Sequence, residues 1–229
     1  MAEKLYKDGR MTAPIDFLIT GPQIMKTKVS MDLVDLLLKK GEESVKKNLS
    51  WNDQLVGVIK KEFGYEDLDN WFSSLIQPHI SDYINWSIER QGAMMNPGVS
   101  ELPSRLNTSV IDLWINYQQK NEYNPPHIHS GSLSFVIWLQ IPEELKNEPP
   151  LSGNQTAGSF VVSHGEAHSF SRNSISFLPE VADMIIFPAY CEHYVHQFKS
   201  DVTRISAAGN ILVEMGYDEK TKKEVYVGL

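Results

Sequence analysis

Cysteine is nearly absent from this chain. Cys191 is the single one in 229 residues, so no intrachain disulfide can form and a reducing compartment suits the protein. Although Cys191 stands two residues before His193, free cysteine is usually buried packing, and a small apolar residue beside a strand is the reading its position supports. Long apolar runs are missing too. No segment approaches the ~20 apolar residues that a membrane span needs, and the stretch from Met1 to Leu5 lacks the apolar core of a signal peptide. A cytoplasmic location is therefore expected, with no membrane partner.

Basic runs are also lacking: no Lys/Arg run is longer than two, and the 21 basic residues against 29 acidic ones leave a net charge of −8. Nucleic-acid grooves normally show a basic stripe, because phosphate neutralisation dominates their affinity, so nucleic acid is the least favoured partner. No internal repeat, low-complexity tract or heptad pattern is present. The remaining composition, 41% hydrophobic and 22% charged, is that of an ordinary globular protein.

The length suits one domain with an elaborated N-terminus, divided into strand and helices over 1–106, a core over 107–215 and a tail over 216–229. From Ile15 to Val29 the pattern, broken by Gly21-Pro22, predicts two short strands or one interrupted strand. Ser30 then makes an N-cap, and Met31, Leu33, Val34, Leu37 and Leu38 form the apolar face of a helix up to Gly41 that packs on a sheet. A second helix is expected between Asn48 and Tyr65, running into Gly64 as its stop. The longest helical pattern spans Asp69 to Gln91, with Pro78 predicting a kink or break near Gln77. Gly92 to Leu106 reads as a connecting loop.

Past that loop the period changes to two. Val110 to Tyr117 alternates as a strand with two differently used faces, and Leu133 to Ile141 is a second, apolar strand. A polar excursion over 143–156 follows. Short strands then recur near residues 159–163, 174–178, 184–188, 193–198 and 204–213, and Glu224 to Leu229 would add an edge strand or hang free. Such spacing argues for an all-β sandwich or barrel.

The chemistry-bearing residues cluster in this region. His127 and His129, two apart in extended chain, point to the same face and can chelate a metal together. His193 follows Phe187-Pro188 on what should be a partner strand, and a rolled β-structure could bring all three to one mouth. Arg204 and Ser206 share a face of the terminal strand, where the small residues Ala207, Ala208 and Gly209 would leave room for a ligand. Trp114, Asn116, Tyr117, Trp138, Gln140 and Tyr190 are candidate pocket residues, although aromatics on alternating strands are more often core. Glu166 reads as part of a polar hairpin tip, Asp183 as a turn residue before its strand, and His196 as facing away from His193.

The segment from about Ile111 to Ile211 resembles the core of the 2-oxoglutarate- and Fe(II)-dependent oxygenases, particularly those frequent in tailed phages. The matching residues are Trp114-Ile115-Asn116, Asn124 to His129, Leu133 to Leu139, Asp183 to Pro188, His193 and Arg204-Ile205-Ser206. The resemblance implies a mainly β fold with flanking α, that is, a double-stranded β-helix (jelly-roll or cupin-like) core with N-terminal helices packed on the sheet. It also implies a dioxygenase, or hydroxylase, with Fe(II) held by His127, His129 and His193. The cosubstrate 2-oxoglutarate would be bound through Arg204 assisted by Ser206, with dioxygen as the oxidant. The chain departs from the family pattern at His129, where an Asp or Glu is common. The primary substrate is open, with a peptide or small molecule ahead of nucleic acid; a homodimer is allowed, and the cytoplasm would be a host's if a phage encodes the chain. Two alternatives remain: a cupin-type metalloenzyme not using 2-oxoglutarate, which would leave Arg204 and Ser206 without a task, and a non-catalytic β-helix interaction module.

Overall fold

The computed structural model describes residues 6–7, 10–11, 21–95, 106–150, 156–169, 171–215, 217–218 and 223–224. In chain order the strands are β1 (Tyr6–Lys7), β2 (Arg10–Met11), β3 (Met25–Lys28), β4 (Glu62–Gly64), β5 (Leu106–Gln118), β6 (Asn124–His127), β7 (Leu133–Gln140), β8 (Phe160–Ser163), β9 (Ser174–Phe177), β10 (Asp183–Pro188), β11 (Glu192–Val195), β12 (Arg204–Met215), β13 (Tyr217–Asp218) and β14 (Lys223–Glu224). Helix α1 (Met31–Lys46) lies between β3 and β4, α2 (Leu68–Trp71) and α3 (Ser73–Met95) follow β4, and α4 (Glu143–Lys146) follows β7.

Two sheets face each other. The larger has the order β3-β10-β7-β12-β5-β4 and the smaller β6-β11-β8-β9. From β5 onward the chain passes back and forth between the two sheets, and the last long strand, β12, inserts between β5 and β7, pairing antiparallel with both. This is the winding of a double-stranded β-helix. Strands β3 and β4, from ahead of the core, extend the large sheet at its two edges.

Strand alternation explains why the large sheet is buried on both faces. Leu133, Phe135, Ile137 and Leu139 of β7 join the cluster that contains the helical residues Leu33, Val34, Leu37, Phe72, Ile76 and Ile80. Val136 and Trp138, the alternate residues, pack instead with Phe160 and Val162 of the small sheet. β10 divides in the same way, Met184 and Ile186 toward the helices, Ile185 and Phe187 inward. The stacked rings of Phe72 and Phe135, 5.9 Å apart, bind helix to sheet, a contact of about 0.5–1.5 kcal/mol beyond area burial.

Helix α1 starts as expected, with the Ser30 hydroxyl accepting from the Leu33 N–H at 3.2 Å. It does not stop at Gly41. That glycine lies inside the helix where it crosses the sheet, and a Cβ there would fall 2.4 Å from Ile115 Cδ1. The helix expected between Asn48 and Tyr65 is absent: the segment is a 3-10 turn, Asn52–Gln54, followed by β4. Pairing of Glu62 and Phe63 with Asn116 and Ile115 outweighs the mixed helical spacing, and Gly64 leaves room for the Trp51 ring, 2.6 Å from where its Cβ would stand. Pro78 lies within continuous α3, and the interruption falls at Phe72, whose side chain is fully buried.

Of the expected loop over 92–106, residues 92–95 complete α3, Leu106 starts β5, and 96–105 lie outside the described residues, as do residues 15–20 of the first strand pattern and 216, 219–222 and 225–229 of the tail. The polar excursion contains α4, with 151–155 outside the described residues. Among the described residues no helix is long and apolar enough to cross a membrane.

Candidate metal centre

His127 ends β6 and His193 lies on β11, and the two are direct partners in the register between those strands. The ladder therefore sets their rings side by side, with centroids 4.2 Å apart. His129 lies just past β6, where its backbone N–H donates to the Ala189 carbonyl at 3.0 Å. Its ring centroid is 4.9 Å from that of His127 and 5.0 Å from that of His193. The three side chains each offer a ligand atom within 4.8 Å of the others, and no Asp or Glu among the described residues joins the group.

Backbone carbonyls orient two of the rings. His127 Nδ1 is 2.7 Å from the Pro125 oxygen, and His193 Nδ1 is 3.0 Å from that of Cys191. A carbonyl only accepts, so each Nδ1 carries the proton and each Nε2 presents a lone pair. Trp114 packs on His129 with centroids 5.4 Å apart, while Phe187 and Phe160 flank His193 at 4.9 and 5.7 Å. Desolvation, with some repulsion from the neighbouring rings, pushes His129 down to about 4 and His193 to about 3; burial also lowers His127. At neutral pH the cluster is three uncharged imidazoles, the form that ligates a divalent cation.

Arg204 and Ser206 line the same cavity as the three histidines. Arg204 is only 2% exposed, yet no carboxylate among the described residues lies within ion-pair distance. Its Nη1 donates to the Gln118 side-chain oxygen at 2.8 Å, its Nε has no partner, and its guanidinium lies 5.9 Å from the centre of the Trp138 ring. Burial pushes its pKa down to about 10, so it is still charged at neutral pH. A buried, unpaired guanidinium is normally unfavourable, and an anionic ligand would satisfy it. Ser206 is opposite Asn116 on β5 and Trp138 on β7 in the two ladders, and Asn116 Oδ1, Asn124 Oδ1 and Trp138 Nε1 are buried without partners. Donor set and charge thus fit a divalent metal with a small dianionic ligand beside it.

Of the other candidates, Trp114 and Asn116 line the cavity. Tyr117 turns to the helix side, its ring 6.2 Å from Phe63; Gln140 donates to the Thr203 carbonyl; Tyr190 is 55% exposed. Ala208 and Gly209 line the cavity, but Ala207 packs on the helix side, and a Cβ on Gly209 would meet the Asp112 carbonyl and the Phe135 ring, so this glycine serves chain packing. Glu166 is exposed and lies near His168, Asp183 is buried against Lys26 and Lys28, and the Cys191 thiol is buried and pushed up to about 11. His196 lies beyond β11, its ring packed on Tyr194. Among the residues not anticipated at the site are Gln118, whose place two residues after Asn116 was the available signal, the wall residues Phe160 and Phe187, which read only as strand core, and Ile59, which was read as part of a helix.

Residues 112–210 match the model of a family described as "Putative 2OG-Fe(II) oxygenase". No protein in the curated set compared matches the chain. Among solved structures, the chain is similar to a viral collagen prolyl hydroxylase from Paramecium bursaria Chlorella virus-1 in complex with 2OG, at 13% identity and TM-score 0.47, covering 82% of this chain and 94% of that one. It is also similar to a Pseudomonas putida prolyl-4-hydroxylase (11% identity, TM-score 0.46, 81% and 90% covered). A third is HygX from Streptomyces hygroscopicus with nickel and 2-oxoglutarate bound (10% identity, TM-score 0.47, 84% and 82% covered). What those proteins act on does not transfer to this chain.

Proposed function

We propose that this chain, whose residues 112–210 match the 2OG-Fe(II) oxygenase model, is a 2-oxoglutarate-dependent dioxygenase that oxidises a peptide or small molecule. The observation that carries the reading is the lone buried guanidinium of Arg204 in the cavity that also holds three neutral imidazoles. His127, His129 and His193 would hold Fe(II), and Arg204, assisted by the Ser206 hydroxyl, would bind the far carboxylate of 2-oxoglutarate. When bound, this pair supplies the oxidising chemistry: dioxygen and 2-oxoglutarate give succinate and carbon dioxide, and the second oxygen atom oxidises the substrate.

The protein's part is position and exclusion of water. The Pro125 and Cys191 carbonyls keep the Nδ1 protons of His127 and His193 in place, so neither ring has to change tautomer to ligate. Trp114, Phe160 and Phe187 wall the histidines with apolar surface. Arg204 offers its charge in a dry setting, where a charge-assisted bond contributes roughly 1.5–3 kcal/mol, enough for about a tenfold to hundredfold effect on cosubstrate affinity. No general base is needed. A cupin-type enzyme would leave this guanidinium without a partner, which is why that alternative is not preferred.

The test is an anaerobic Fe(II) titration with and without 2-oxoglutarate, monitored for the metal-to-ligand charge-transfer absorption, followed by succinate assay in air. A band and succinate are expected. Absence of both would refute the oxygenase reading.

A further inference from the structure

Gln118 ends β5 directly opposite Arg204 on β12 and is fully buried. Its amide nitrogen donates to two backbone carbonyls, those of Glu122 at 2.7 Å and His196 at 3.1 Å. Both partners can only accept, so the amide cannot be flipped: Nε2 must face them, and Oε1 must face Arg204, whose Nη1 donates to it at 2.8 Å. The two carbonyls belong to the turn before β6 and to the residue just past β11, and those strands carry His127 and His193. One side chain therefore ties the guanidinium to both histidine strands.

The choice of an amide matters electrostatically. A carboxylate at position 118 would grip the guanidinium more firmly but neutralise it. The amide oxygen fixes the guanidinium and leaves its charge available. Among the described residues no carboxylate neutralises that charge, the Trp138 ring lies 5.9 Å away, and Nε is left without a partner.

We propose that Gln118 is the positioning residue for the far carboxylate of 2-oxoglutarate, holding Arg204 in one orientation without neutralising it. The inference rests on the reading that Arg204 binds that carboxylate.

Calorimetric binding to the Mn(II)-loaded full chain tests it, with 2-oxoglutarate and with 2-oxobutyrate, which has the same keto acid end and no far carboxylate. Gln118→Glu should weaken 2-oxoglutarate by about tenfold to hundredfold, while 2-oxobutyrate and Mn(II) stay within about twofold. Gln118→Met keeps the length and loses the acceptor together with the amide donors; it should raise the KM for 2-oxoglutarate several-fold with kcat unchanged at saturation. Both variants lose the donors to the Glu122 and His196 carbonyls, but only Gln118→Glu also adds a buried charge, so the neutral Met variant carries the same comparison should Gln118→Glu fail to fold. Equal weakening of both keto acids would assign Gln118 a structural role only and overturn the proposal. Unchanged 2-oxoglutarate binding in the Gln118 variants, with loss in Arg204→Ala, would overturn the positioning role alone. Unchanged binding in Arg204→Ala would overturn the clamp reading, and this inference with it.

Discussion

Replacing Arg204 by Met should leave the ligand-free protein about as stable as before while removing most of its response to 2-oxoglutarate. Burial lowers the Arg204 pKa from 12.5 to about 10, so holding the charge costs on the order of 3 kcal/mol at ~1.4 kcal/mol per unit. The folded pKa is the lower one, so this cost is fully present at neutral pH and is lost only as pH rises through about 10. Against it stands the bond to Gln118, about 1.5–3 kcal/mol for a charged donor, and the variant leaves the Gln118 oxygen without its donor. The terms nearly cancel. Ligand binding does not cancel: at 100 times Kd, 2-oxoglutarate should stabilise the metal-loaded wild type by ~2.7 kcal/mol, which at ~2–4 °C per kcal/mol for a chain of this size is about 5–10 °C in Tm. At the same concentration, an affinity about thirtyfold lower leaves a shift of only ~2 °C. Thermal unfolding of the Mn(II)-loaded proteins with and without 2-oxoglutarate reads both quantities. A full ligand-induced shift in the variant would refute the clamp, and a ligand-free Tm lower by more than about 10 °C would refute the view that Arg204 is kept for its ligand rather than for the fold.

Two further outcomes are expected. His129→Ala should lower Fe(II) affinity by about tenfold or more in a metal titration, since one of three neutral donors is removed; unchanged retention would mean that this histidine is not a ligand. Glu62 is desolvated and lies near Glu122, which raises its pKa from 4.5 to about 8. The unfolded chain ionises first, so the wild type should lose stability as pH rises from 4.5 toward 8, and Glu62→Gln should flatten that slope in urea unfolding at pH 5 and 8. An identical slope in the two proteins would show that the carboxyl is not the source.

What was legible in the sequence follows the strength of the local period. Strand β5 could be read from its alternation, and β7 and β10 as short apolar runs between turn signals, because both of their faces meet apolar layers. Ser30 could be read because a cap acts through its own helix. The errors fall where a distant surface decides: position 41 is glycine because Ile115 leaves no room for a side chain where α1 crosses the sheet, not because the helix stops there, and Glu62 to Gly64 become a strand because they pair with β5. Within the site, the two-residue spacing was enough to suggest His127 and His129 on one side, although the strand ends at His127 and His129 is held by its N–H bond to the Ala189 carbonyl. Bringing His193 to them depended on the β6–β11 register, and recognising Gln118 required knowing that Glu122 and His196 present carbonyls on one side of it, which no spacing along the chain reveals.

The position of His129 ties these points together. With a carboxylate there, a divalent metal and Arg204 would carry three positive charges against one negative ligand, and a dianion would bring the site to zero. With three neutral imidazoles the metal and guanidinium carry their full charge until the dianion arrives, and one positive charge is left after it has bound. On these assignments, 2-oxoglutarate should increase iron retention, and iron should increase 2-oxoglutarate affinity by the same factor, because the dianion supplies the negative charge that the three imidazoles do not. The amide at Gln118 is consistent with the same logic. A carboxylate at either position would reduce the charge that the dianion is drawn to, and Gln118 and His129 both avoid it.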